Sequence, residues 1–476
     1  MAFMDNRQFI TALEKAGEIV RIKQEVDWEL EAAAIARRAA ETQGPACLFE
    51  KIKDYPPGYR IFSGGVATYR RLAIAMGLSP DTPVKDIYAE WERRDAHPIK
   101  PVVVKDAPCK ENIMRGNDID IFKLPAPLIH DGDGGRYIGT WDIVVCQDPD
   151  RDWTNWGTYR FMLHTRKSLV GAPLPLSHLA MILTQKYVPT NTPMPTALVI
   201  GADQISTLVG GAGYRIGENE AEFAGALCQE PIELVKCETS NLLVPAHAEI
   251  VIEGDILPSQ SQIEGPFGEY TGYRTRPGGD GLILQVKAVT YRNSPIVTMV
   301  PLGVPVDEAT VSGAITMAMT YKRRLKKAGL PITDVSLPLE GACHVVVVGV
   351  KRGGIEIAEQ IRTFLTSRRV PITKIIVVDE DVDVFNFGEV LHALGVKCHS
   401  VRGVVPKEHP GGGNPLTPCY TVEERAKHLG ATALWDCTWP KDLPAEETPV
   451  KGSFNTIYPD AIKQKVKDNW HRYGFK

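Results

Sequence analysis

Two carboxylates, Glu264 and Glu269, bracket a Gly-Pro-Phe-Gly sequence. The two glycines permit backbone angles that are closed to other residues, and the proline fixes one further angle. Apolar runs at 248–253 and 281–289 predict strands on either side of this segment. A constrained loop between two strands is a common place for catalytic residues, because the scaffold holds their side chains in set positions. The alternative is a solvated turn that carries two surface acids.

An arginine on a predicted strand is a second candidate for chemistry. The sequence predicts a strand at 157–164. Side chains alternate along a strand, so Thr158 and Arg160 are expected to share one face. Met162 and His164 follow on that face. If Arg160 is buried it needs a carboxylate or phosphate partner, and otherwise it is an ordinary exposed arginine.

Three further side chains could complete a site for a hard metal ion. Asn155 begins the predicted strand, His178 follows a proline-rich turn, and Glu220 begins a predicted helix. Asparagine and glutamate supply oxygen ligands, and manganese also accepts imidazole. The alternatives are a structural histidine and an acid that the helix dipole stabilises. A metal site therefore depends on whether the fold brings the three residues together.

Three other motifs have ordinary explanations. The sequence at 130–135, His-Asp-Gly-Asp-Gly-Gly, lacks the spacing and closing glutamate of a calcium loop, which favours a flexible active-site or subunit-contact loop. The glycine-rich sequence at 210–217 has no following βαβ unit with a downstream acid, which argues against dinucleotide binding. The acids at 379–383 follow an apolar strand and could bind metal, but we predict that they cap a helix at 385–394.

Composition excludes several classes of protein. The chain has 476 residues, 54 Lys and Arg, 58 Asp and Glu, and a formal charge of −4, so no basic field indicates a nucleic-acid partner. No apolar run reaches the length of a membrane span, and the first residues do not form a signal peptide. The nine cysteines form no C-x-x-C pair. This pattern predicts reduced thiols and a cytoplasmic protein, and it argues against a zinc cluster or disulfides.

Consecutive parts of the chain must position the candidate residues. The predicted fold class is α/β, with an α+β arrangement of the chain as a whole. Residues 97–110 contain several X-Pro steps and predict an extended linker. The following part predicts strands and glycine-rich loops, interrupted by one helix at 220–228, as in a β-barrel or sandwich. Residues 407–421 predict a glycine-rich loop. The predicted parts are an N-terminal α/β lobe at 1–110, a strand-rich domain at 111–305, a linker helix at 306–329, an α/β domain at 330–445, and a tail helix at 446–476.

Taken together, the motifs resemble the UbiD family of decarboxylases, in order and over nearly the whole chain. The motifs that carry this resemblance are Asn155-x-x-x-x-Arg160, Ser177-His178, Glu220-x-x-Phe-Ala-Gly-Ala-Leu227, Glu264-Gly-Pro-Phe-Gly-Glu269 and Val377-Val-Asp-Glu-Asp-Val-Asp383. The resemblance implies a flavin-binding split barrel that a long helix joins to an α/β oligomerisation domain. It also implies a homo-oligomer, a dimer or a hexamer.

The same resemblance implies prenylated FMN as the cofactor, supplied by a separate flavin prenyltransferase and bound with a divalent metal, usually manganese, and often with K⁺. Asn155, His178 and Glu220 match the metal ligands that face the flavin phosphate. Arg402 matches a basic residue that reaches this phosphate. The positions that match the flavin-lining residues are Thr158, Tyr159, Arg160, Leu174, Leu176, Ser177 and His178.

For catalysis, the resemblance implies a set of Arg160, Glu264 and Glu269. Glu269 would donate the proton, since burial raises the pKa of a carboxylic acid. Arg160 and Glu264 would form an ion pair that orients the substrate carboxylate and the cofactor. The expected function is reversible, non-oxidative decarboxylation of an aromatic, heteroaromatic or α,β-unsaturated acid. The alternatives are a carboxylase, an enzyme for an acyl-CoA thioester, and a catalytically silent structural subunit.

Two departures from the family pattern concern the substrate side. Ala309 and Gly313 fall where relatives often carry bulkier residues, which indicates a roomier pocket for a bicyclic acid or a thioester. Trp439 belongs to a segment that family members bring over the active site. It is expected either to contact substrate or to pack within its own domain.

Overall fold

The computed structural model describes residues 3–174, 177–367, 371–440, 442–444 and 446–475. The structure is a mixed α/β fold in which four sheets are joined by helices. No helix in these described ranges is long and apolar enough to span a membrane. The α-helices are Asn6–Ala16, Glu31–Glu41, Tyr69–Ala75, Val84–Asp95, His178–Ile182, Gln204–Gly210, Glu220–Cys228, Glu308–Lys327, Ile355–Leu365, Phe387–Val396, Val422–Ala426, Phe454–Ile457 and Asp460–Asp468.

The N-terminal lobe is built on a four-stranded sheet. Its first helix is capped at both ends, because the Asp5 carboxylate accepts the Gln8 N–H at 2.8 Å and Gly17 adopts φ 71°. The last strand of this sheet comes from far along the chain, which fastens the lobe to the next part. In spatial order the strands are Ile19–Val26, Ala46–Ile52, Arg60–Ser63 and Ile296–Thr298.

A nine-stranded sheet curls into a half-barrel and forms the centre of the molecule, as the barrel prediction required. Its strands pair antiparallel, and its two long strands pair with each other over most of their length. In spatial order the strands are Tyr137–Gly139, Phe161–Thr165, Ser168–Gly171, Gly279–Tyr291, Ile250–Glu264, Met194–Ile200, Asp142–Asp148 and Trp153–Gly157, and Asn112–Arg115 pairs with Gly279–Tyr291.

Four details of this part differ from prediction. The predicted strand at 157–164 is two strands with a break at 158–160, so Thr158 and Arg160 do not belong to one continuous face. In the described residues of this part, three α-helices rather than one interrupt the sheet, and a π-helix, Leu183–Tyr187, follows one of them. Glu264 is the last residue of a 15-residue strand, whereas the prediction placed it on the loop between two strands.

The predicted linker at 97–110 is only partly extended. Val102–Val104 is a strand that pairs with Glu233–Lys236, whose other neighbour is Leu243–Pro245. These three strands form a small sheet beside the half-barrel. The X-Pro steps therefore bound a short strand instead of continuing as one extended segment.

The C-terminal part is an α/β layer on a five-stranded sheet. The long helix Glu308–Lys327 leads into it, and Lys322 on that helix bridges Glu92 at 2.7 Å and Asp334 at 2.6 Å. The three central strands are parallel and the edge strands are antiparallel. In spatial order the strands are Ile332–Ser336, Val345–Val350, Lys374–Asp379, Leu429–Cys437 and Val404–Pro410.

Two predictions for the C-terminal part are wrong. The acids at 379–383 do not cap the following helix. The capping residue is Asn386, whose side chain accepts the Glu389 N–H. Instead, Asp379 and Asp381 accept from Lys397 Nζ at 2.7 and 3.1 Å. The predicted glycine-rich loop at 407–421 begins inside an edge strand. Pairing with the neighbouring strand stabilises this edge strand in spite of the nearby glycines.

Candidate active site

Arg160 joins the two carboxylates that bracket the Gly-Pro-Phe-Gly turn. Its Nε and Nη2 donate to the two oxygens of Glu264 at 2.8 and 2.9 Å, and its Nη1 donates to Glu269 Oε1 at 2.6 Å. Glu264 and Glu269 are 0% and 4% exposed. The surface-turn interpretation is therefore wrong. The Arg160 side chain is 14% exposed, and it has the carboxylate partners that a largely buried arginine needs.

Two aromatic side chains enclose this cluster. The Tyr137 hydroxyl donates to Glu264 Oε1 at 2.6 Å. The Arg160 guanidinium lies 4.9 Å from the centroid of the Phe267 ring, and that ring lies 4.4 Å from the ring of Tyr137. Each charged group is thus held by a hydrogen bond or an aromatic face, which fixes the orientation of the guanidinium.

The ion pairs decide the protonation of the guanidinium. Burial lowers the pKa of Arg160, but the hydrogen bond with Glu264 and the charges of Glu269 and Glu264 outweigh burial, so its pKa is raised. For Tyr137, burial and the neighbouring Glu264 charge both raise the pKa, which keeps the phenol protonated as a donor. The cluster therefore carries one permanent positive charge between two carboxyl groups.

The loop at 130–135 packs against the Gly-Pro-Phe-Gly turn. Asp133 Oδ1 accepts the Gly268 N–H at 3.1 Å, and the Gly134 N–H donates to the Pro266 carbonyl at 2.8 Å. His130 contacts Asp133 Oδ2 through Nδ1 at 2.9 Å and the Leu302 carbonyl through Nε2 at 2.7 Å. These bonds hold the turn that separates the two glutamates.

The break between two strands places Arg160 where the turn can reach it. Gly157 ends one strand, and a Cβ at this position would overlap the ring of Tyr159. Thr158 Oγ1 donates to the Asp142 carbonyl at 3.1 Å. The chain therefore turns out of the sheet for three residues before the next strand begins at Phe161. The strand pattern of the sequence did not reveal this break.

The three candidate metal ligands also converge. His178 Nδ1 lies 3.1 Å from Asn155 Oδ1, and Glu220 Oε2 accepts the N–H of Trp156, the residue after Asn155, at 3.0 Å. No group of three His, Cys, Asp or Glu side chains in the described part of the chain is arranged for a metal ion. The trio differs from such a group because one of its three members is an asparagine.

Glu220 has no counter-charge among the described residues. It is 1% exposed, and burial raises its pKa to about 8 although the Trp156 N–H bond acts in the opposite direction. Burial lowers the pKa of His178, which favours the neutral imidazole that binds metals. A buried carboxylate beside a neutral imidazole and an amide oxygen fits a divalent cation. This part of the site is therefore suited to the implied metal.

A cavity of about 680 Å³ lies beside these groups, between the half-barrel and the C-terminal layer. Leu174 and Ser177 line it, whereas Leu176 lies outside the described residues. Tyr159 is close to Ser177, whose hydroxyl interacts with the phenol. Arg402 is not brought to this cavity: it is exposed in the C-terminal part, where its backbone N–H donates to His399.

Two expectations about the substrate side change in the structure. A Cβ on Gly313 would lie 2.5 Å from Cys343 Sγ, so this glycine admits the cysteine rather than enlarging a pocket, and the Gly313 prediction is wrong. Ala309 lies on the same helix and is partly buried. Trp439 donates its backbone N–H to Asp379 at 2.9 Å, and Lys397 lies 4.7 Å from its ring centroid. These contacts fit the packing alternative.

Sequence reasoning missed Tyr137 and the roles of His130 and Asp133. Tyr137 is 127 positions from Glu264, and its strand is only three residues long. No local pattern marks such a residue. The loop at 130–135 did give a signal, since its composition predicted an active-site loop.

Comparison with known proteins identifies the family. Residues 10–91, 100–305 and 310–437 match the N-terminal, Rift-related and C-terminal domains of 3-octaprenyl-4-hydroxybenzoate carboxy-lyase. The chain is 32% identical to the pyrrole-2-carboxylic acid decarboxylase of Pseudomonas aeruginosa, over 99% of this chain and 98% of that protein.

Solved structures support the same family. The vanillic acid decarboxylase of Sedimentibacter hydroxybenzoicus, in its closed form, superposes with a TM-score of 0.86 at 31% identity, over 98% of this chain and 99% of that one. An evolved dimeric form of the UbiD-class enzyme HmfF from Pelotomaculum thermopropionicum, in complex with prFMN, gives a TM-score of 0.80 at 28% identity, over 97% and 100% of the two chains. This chain belongs to the UbiD family of carboxy-lyases and is a decarboxylase.

Proposed function

We propose that this protein decarboxylates an aromatic, heteroaromatic or α,β-unsaturated carboxylic acid, reversibly and without oxidation, with prenylated FMN as its cofactor. The observation that carries the proposal is the pairing of Arg160 with both Glu264 and Glu269 inside a buried site. The named substrates of the relatives, pyrrole-2-carboxylic acid and vanillic acid, support an aromatic acid. The prFMN of the HmfF structure supports the cofactor.

The cofactor would bind in the cavity and at the metal trio, which consists of Asn155, His178 and Glu220. Asn155, His178 and Glu220 would hold a divalent cation, manganese in our assignment, against the flavin phosphate. Thr158, Tyr159, Leu174, Ser177 and the backbone of Arg160 would line the flavin. The flavin, when bound, supplies an acceptor for the electron pair that remains when carbon dioxide leaves. Arg402 and K⁺ stay predictions, since no contact in the described residues assigns them a place.

Glu269 is the proton donor in this proposal. The bond between the substrate carbon and its carboxylate breaks, carbon dioxide leaves, and the proton of Glu269 forms the new C–H bond at that carbon. Arg160 contacts Glu269 through Oε1, and no hydrogen bond to Oε2 is found within the described chain, so Oε2 is free to carry the proton. When Glu269 is protonated, the single positive charge of Arg160 balances the single negative charge of Glu264.

Arg160 and Glu264 position the reactants. Arg160 uses three of its five N–H donors on the two glutamates, so two donors remain for a substrate carboxylate. The bidentate contact with Glu264 prevents the guanidinium from rotating. In the reverse direction the same groups would deprotonate the C–H bond and orient incoming carbon dioxide. A thioester substrate and a silent structural subunit remain the alternatives.

The remaining assignments follow from the family. We propose a homo-oligomer, a dimer or a hexamer, and a flavin prenyltransferase as the source of cofactor. The domain limits that we keep are 1–110, 111–305, 306–329, 330–445 and 446–476. A cytoplasmic location stays a prediction from the cysteines.

The experiment combines cofactor analysis with a substrate panel. After co-expression with a flavin prenyltransferase, the purified protein should show a flavin absorption spectrum and release a cofactor with the mass of prenylated FMN. It should then exchange deuterium or release carbon dioxide with at least one aromatic or α,β-unsaturated acid. A colourless protein that stays inactive would favour the structural subunit.

A further inference from the structure

A second cavity, apart from the one that Leu174 and Ser177 line, has no role in the proposed chemistry. Its volume is about 270 Å³, near the lower end of the ~300–1,000 Å³ that is typical of small-molecule sites. It lies between the residues before the first helix, the small three-stranded sheet, and the ends of the helices at 204–210 and 220–228. The two cavities share no described lining residue. The second cavity therefore offers a place for a different ligand.

Asp203 is a nearly buried carboxyl group in the wall of this cavity. It is 7% exposed and caps the helix Gln204–Gly210, where its Oδ1 accepts the Ser206 N–H at 2.8 Å. The Cys228 thiol lies 3.9 Å from the same oxygen. No hydrogen bond to Oδ2 is found among the described residues, and this oxygen is not shielded from solvent. A carboxylate oxygen that faces open space within a nearly buried side chain needs a hydrogen-bond donor.

The charge of Asp203 is not balanced within the wall. Burial raises its pKa, although contacts with Ser206 and with the backbone act in the opposite direction. No lysine or arginine lines the cavity in the described part of the chain, and no ion pair of Asp203 is found there. A cation that entered the cavity would therefore stabilise the ionised carboxylate.

Arg94 is close to the Cys228 thiol but does not line the cavity. Burial and the charges of Asp203 and Glu230 raise the pKa of this thiol, and Arg94 lowers it. The guanidinium of Arg94 donates to Glu90 at 2.6 Å and to two backbone carbonyls at 2.7 and 2.8 Å. Two carboxylates thus act on one thiol of the wall, and the donors of the nearby arginine are used elsewhere.

The other residues of the wall carry further negative charge, are paired, or are apolar. Glu230 is exposed, and no ion pair of its side chain is found within the described ranges. Glu233 is bonded to His247 Nε2 at 2.8 Å, so this acid already has a partner. The apolar part of the lining consists of Phe3, Met4, Val102, Pro231, Ile232 and Pro245. The wall therefore combines unpaired negative charge with an apolar surface.

This combination favours an organic cation over a metal ion. Within the residues that the structure describes, no three His, Cys, Asp or Glu side chains are placed for a metal ion. An apolar surface also supplies no further oxygen ligands, which hard cations require. An ammonium group on a hydrocarbon fits both features, because the ammonium donates to carboxylates and the hydrocarbon contacts apolar side chains.

We propose that this cavity is a binding site for a small organic cation, a protonated primary amine that carries an apolar group. The ammonium donates to Asp203 Oδ2 and lies in the field of Glu230, and the hydrocarbon packs against the apolar part of the lining. The helix that ends at Cys228 begins at Glu220, roughly 12 Å away at the rise of an α-helix. The site is therefore distinct from the metal trio and does not depend on the proposed decarboxylation.

The test compares an amine with a neutral analogue of similar size. The protein, purified after co-expression with a flavin prenyltransferase, is titrated by calorimetry at neutral pH with 2-phenylethylamine and with 2-phenylethanol. The two probes share their apolar group and differ in charge. Hydrogen bonds to charged groups correspond to about ten- to a hundredfold in affinity, so the amine should bind that much more tightly than the alcohol.

Matched variants assign this preference to the cavity. Asp203→Asn should remove it, and because asparagine caps a helix about as well as aspartate, the thermal midpoint should not fall and the flavin content should stay unchanged. Glu230→Gln should reduce the preference by less than about fivefold, since solvent screens an exposed carboxylate. Asp120→Asn is the control and should leave the preference unchanged. Asp120 also accepts a capping N–H, from Phe122 at 3.2 Å, but it pairs with Arg166 at 3.0 Å and does not line the cavity.

Each outcome decides for or against the site. A preference for the amine that Asp203→Asn removes and Asp120→Asn keeps supports it, whether or not any acid is decarboxylated. Equal affinity for the two probes, or no binding of the amine, would overturn it. A preference that persists in Asp203→Asn would mean that the amine binds elsewhere, and a preference that both variants remove would mean a general effect of charge. Either result would also overturn the site.

Discussion

The Arg160 cluster, which consists of Arg160, Glu264 and Glu269, and the metal trio, which consists of Asn155, His178 and Glu220, differ in whether the chain itself supplies a counter-charge. In the first, Arg160 contacts both glutamates, and a tyrosine and a phenylalanine complete the surroundings. In the second, Glu220 is 1% exposed and accepts only a backbone hydrogen bond, and burial raises its pKa to about 8. The chain thus supplies a cation that both carboxyl groups share in one group and leaves the other without a cation.

This difference separates two kinds of function. A cluster whose internal contacts are satisfied keeps its geometry without a ligand, so its groups are ready for chemistry before substrate arrives. A trio with an uncompensated buried carboxylate gains stability when a cation binds, so its groups are suited to retaining a cofactor. Substitutions in the first group should change rate, and substitutions in the second should change occupancy.

The largest effect is expected for Glu269→Gln. The substitution keeps the shape of the side chain but removes the transferable proton, and loss of a general acid typically costs ~10²–10⁴-fold in rate. Flavin and metal content should stay at the wild-type level, because Glu269 contacts Arg160 and not the metal trio. Decarboxylation rate and cofactor absorbance, measured on the same preparation, check this.

A matched control is Glu233→Gln, which changes a carboxylate bonded to His247 at 2.8 Å in the small sheet, outside the active site. It should leave the rate unchanged. If Glu269→Gln retains activity within about threefold of wild type with full cofactor, well short of the loss expected for a general acid, the proton must come from Glu264 or water.

The next effect is expected for Glu220→Ala. Loss of one charged ligand, worth on the order of 3 kcal/mol, should weaken cofactor and metal retention about a hundredfold. The apo protein should fold as well as wild type, because the substitution removes a buried carboxylate that has no counter-charge. Metal analysis, flavin absorbance and the thermal midpoint of the apo protein are the measurements. Full flavin and manganese content in this variant would contradict the assignment of the trio.

Tyr137→Phe should have a smaller effect on the first group. It removes a 2.6 Å hydrogen bond to Glu264 Oε1, and such bonds to charged groups are worth about 1.5–3 kcal/mol. Arg160 still holds both oxygens of Glu264, so we expect only about a tenfold loss in rate, equal to roughly 1.4 kcal/mol. Tyr69→Phe is the control, since its hydroxyl contacts the neutral Tyr88 hydroxyl at 2.9 Å in the N-terminal lobe. Equal rates in wild type and Tyr137→Phe would show that Arg160 alone positions Glu264.

The sequence was a good guide to both groups because their residue types are demanding. A buried arginine requires a carboxylate, and the spacing of Glu264 and Glu269 around a constrained turn offers two. The fold class followed from strand and helix periodicity in the same way. The pairing of Arg160 with Glu264, however, was predicted from the family resemblance, because the two residues are 104 positions apart.

What the sequence did not reveal depends on backbone irregularity and on long-range contact. The pattern at 157–164 is that of one strand, yet Tyr159 occupies the space above Gly157 and the chain leaves the sheet. Gly313 was interpreted as space for substrate, but Cys343 from another part of the chain fills it. Tyr159 is only two positions from Gly157, but its ring position depends on the backbone break, and Cys343 is 30 positions from Gly313, so the periodicity of the sequence reports neither contact.

Glu308→Gln lies outside both groups and is expected to leave activity unchanged. It tests the premise that a buried carboxylate without a full counter-charge destabilises the fold. Glu308 is a second buried carboxyl without a full counter-charge, and burial and the nearby Asp307 raise its pKa to about 7. The folded state then binds more protons than the unfolded state between the ordinary pKa and about 7. Stability is therefore fully present at low pH and is lost as pH rises through this window. The glutamine stays neutral, so the two proteins should have similar thermal midpoints at pH 5, and the variant should melt on the order of 2 °C higher at pH 8. Scanning calorimetry of both proteins across that range measures the difference. If the difference in thermal midpoint does not change with pH, the charge of this buried carboxylate is balanced within the fold. The premise that Glu220 lacks a counter-charge would then also be contradicted.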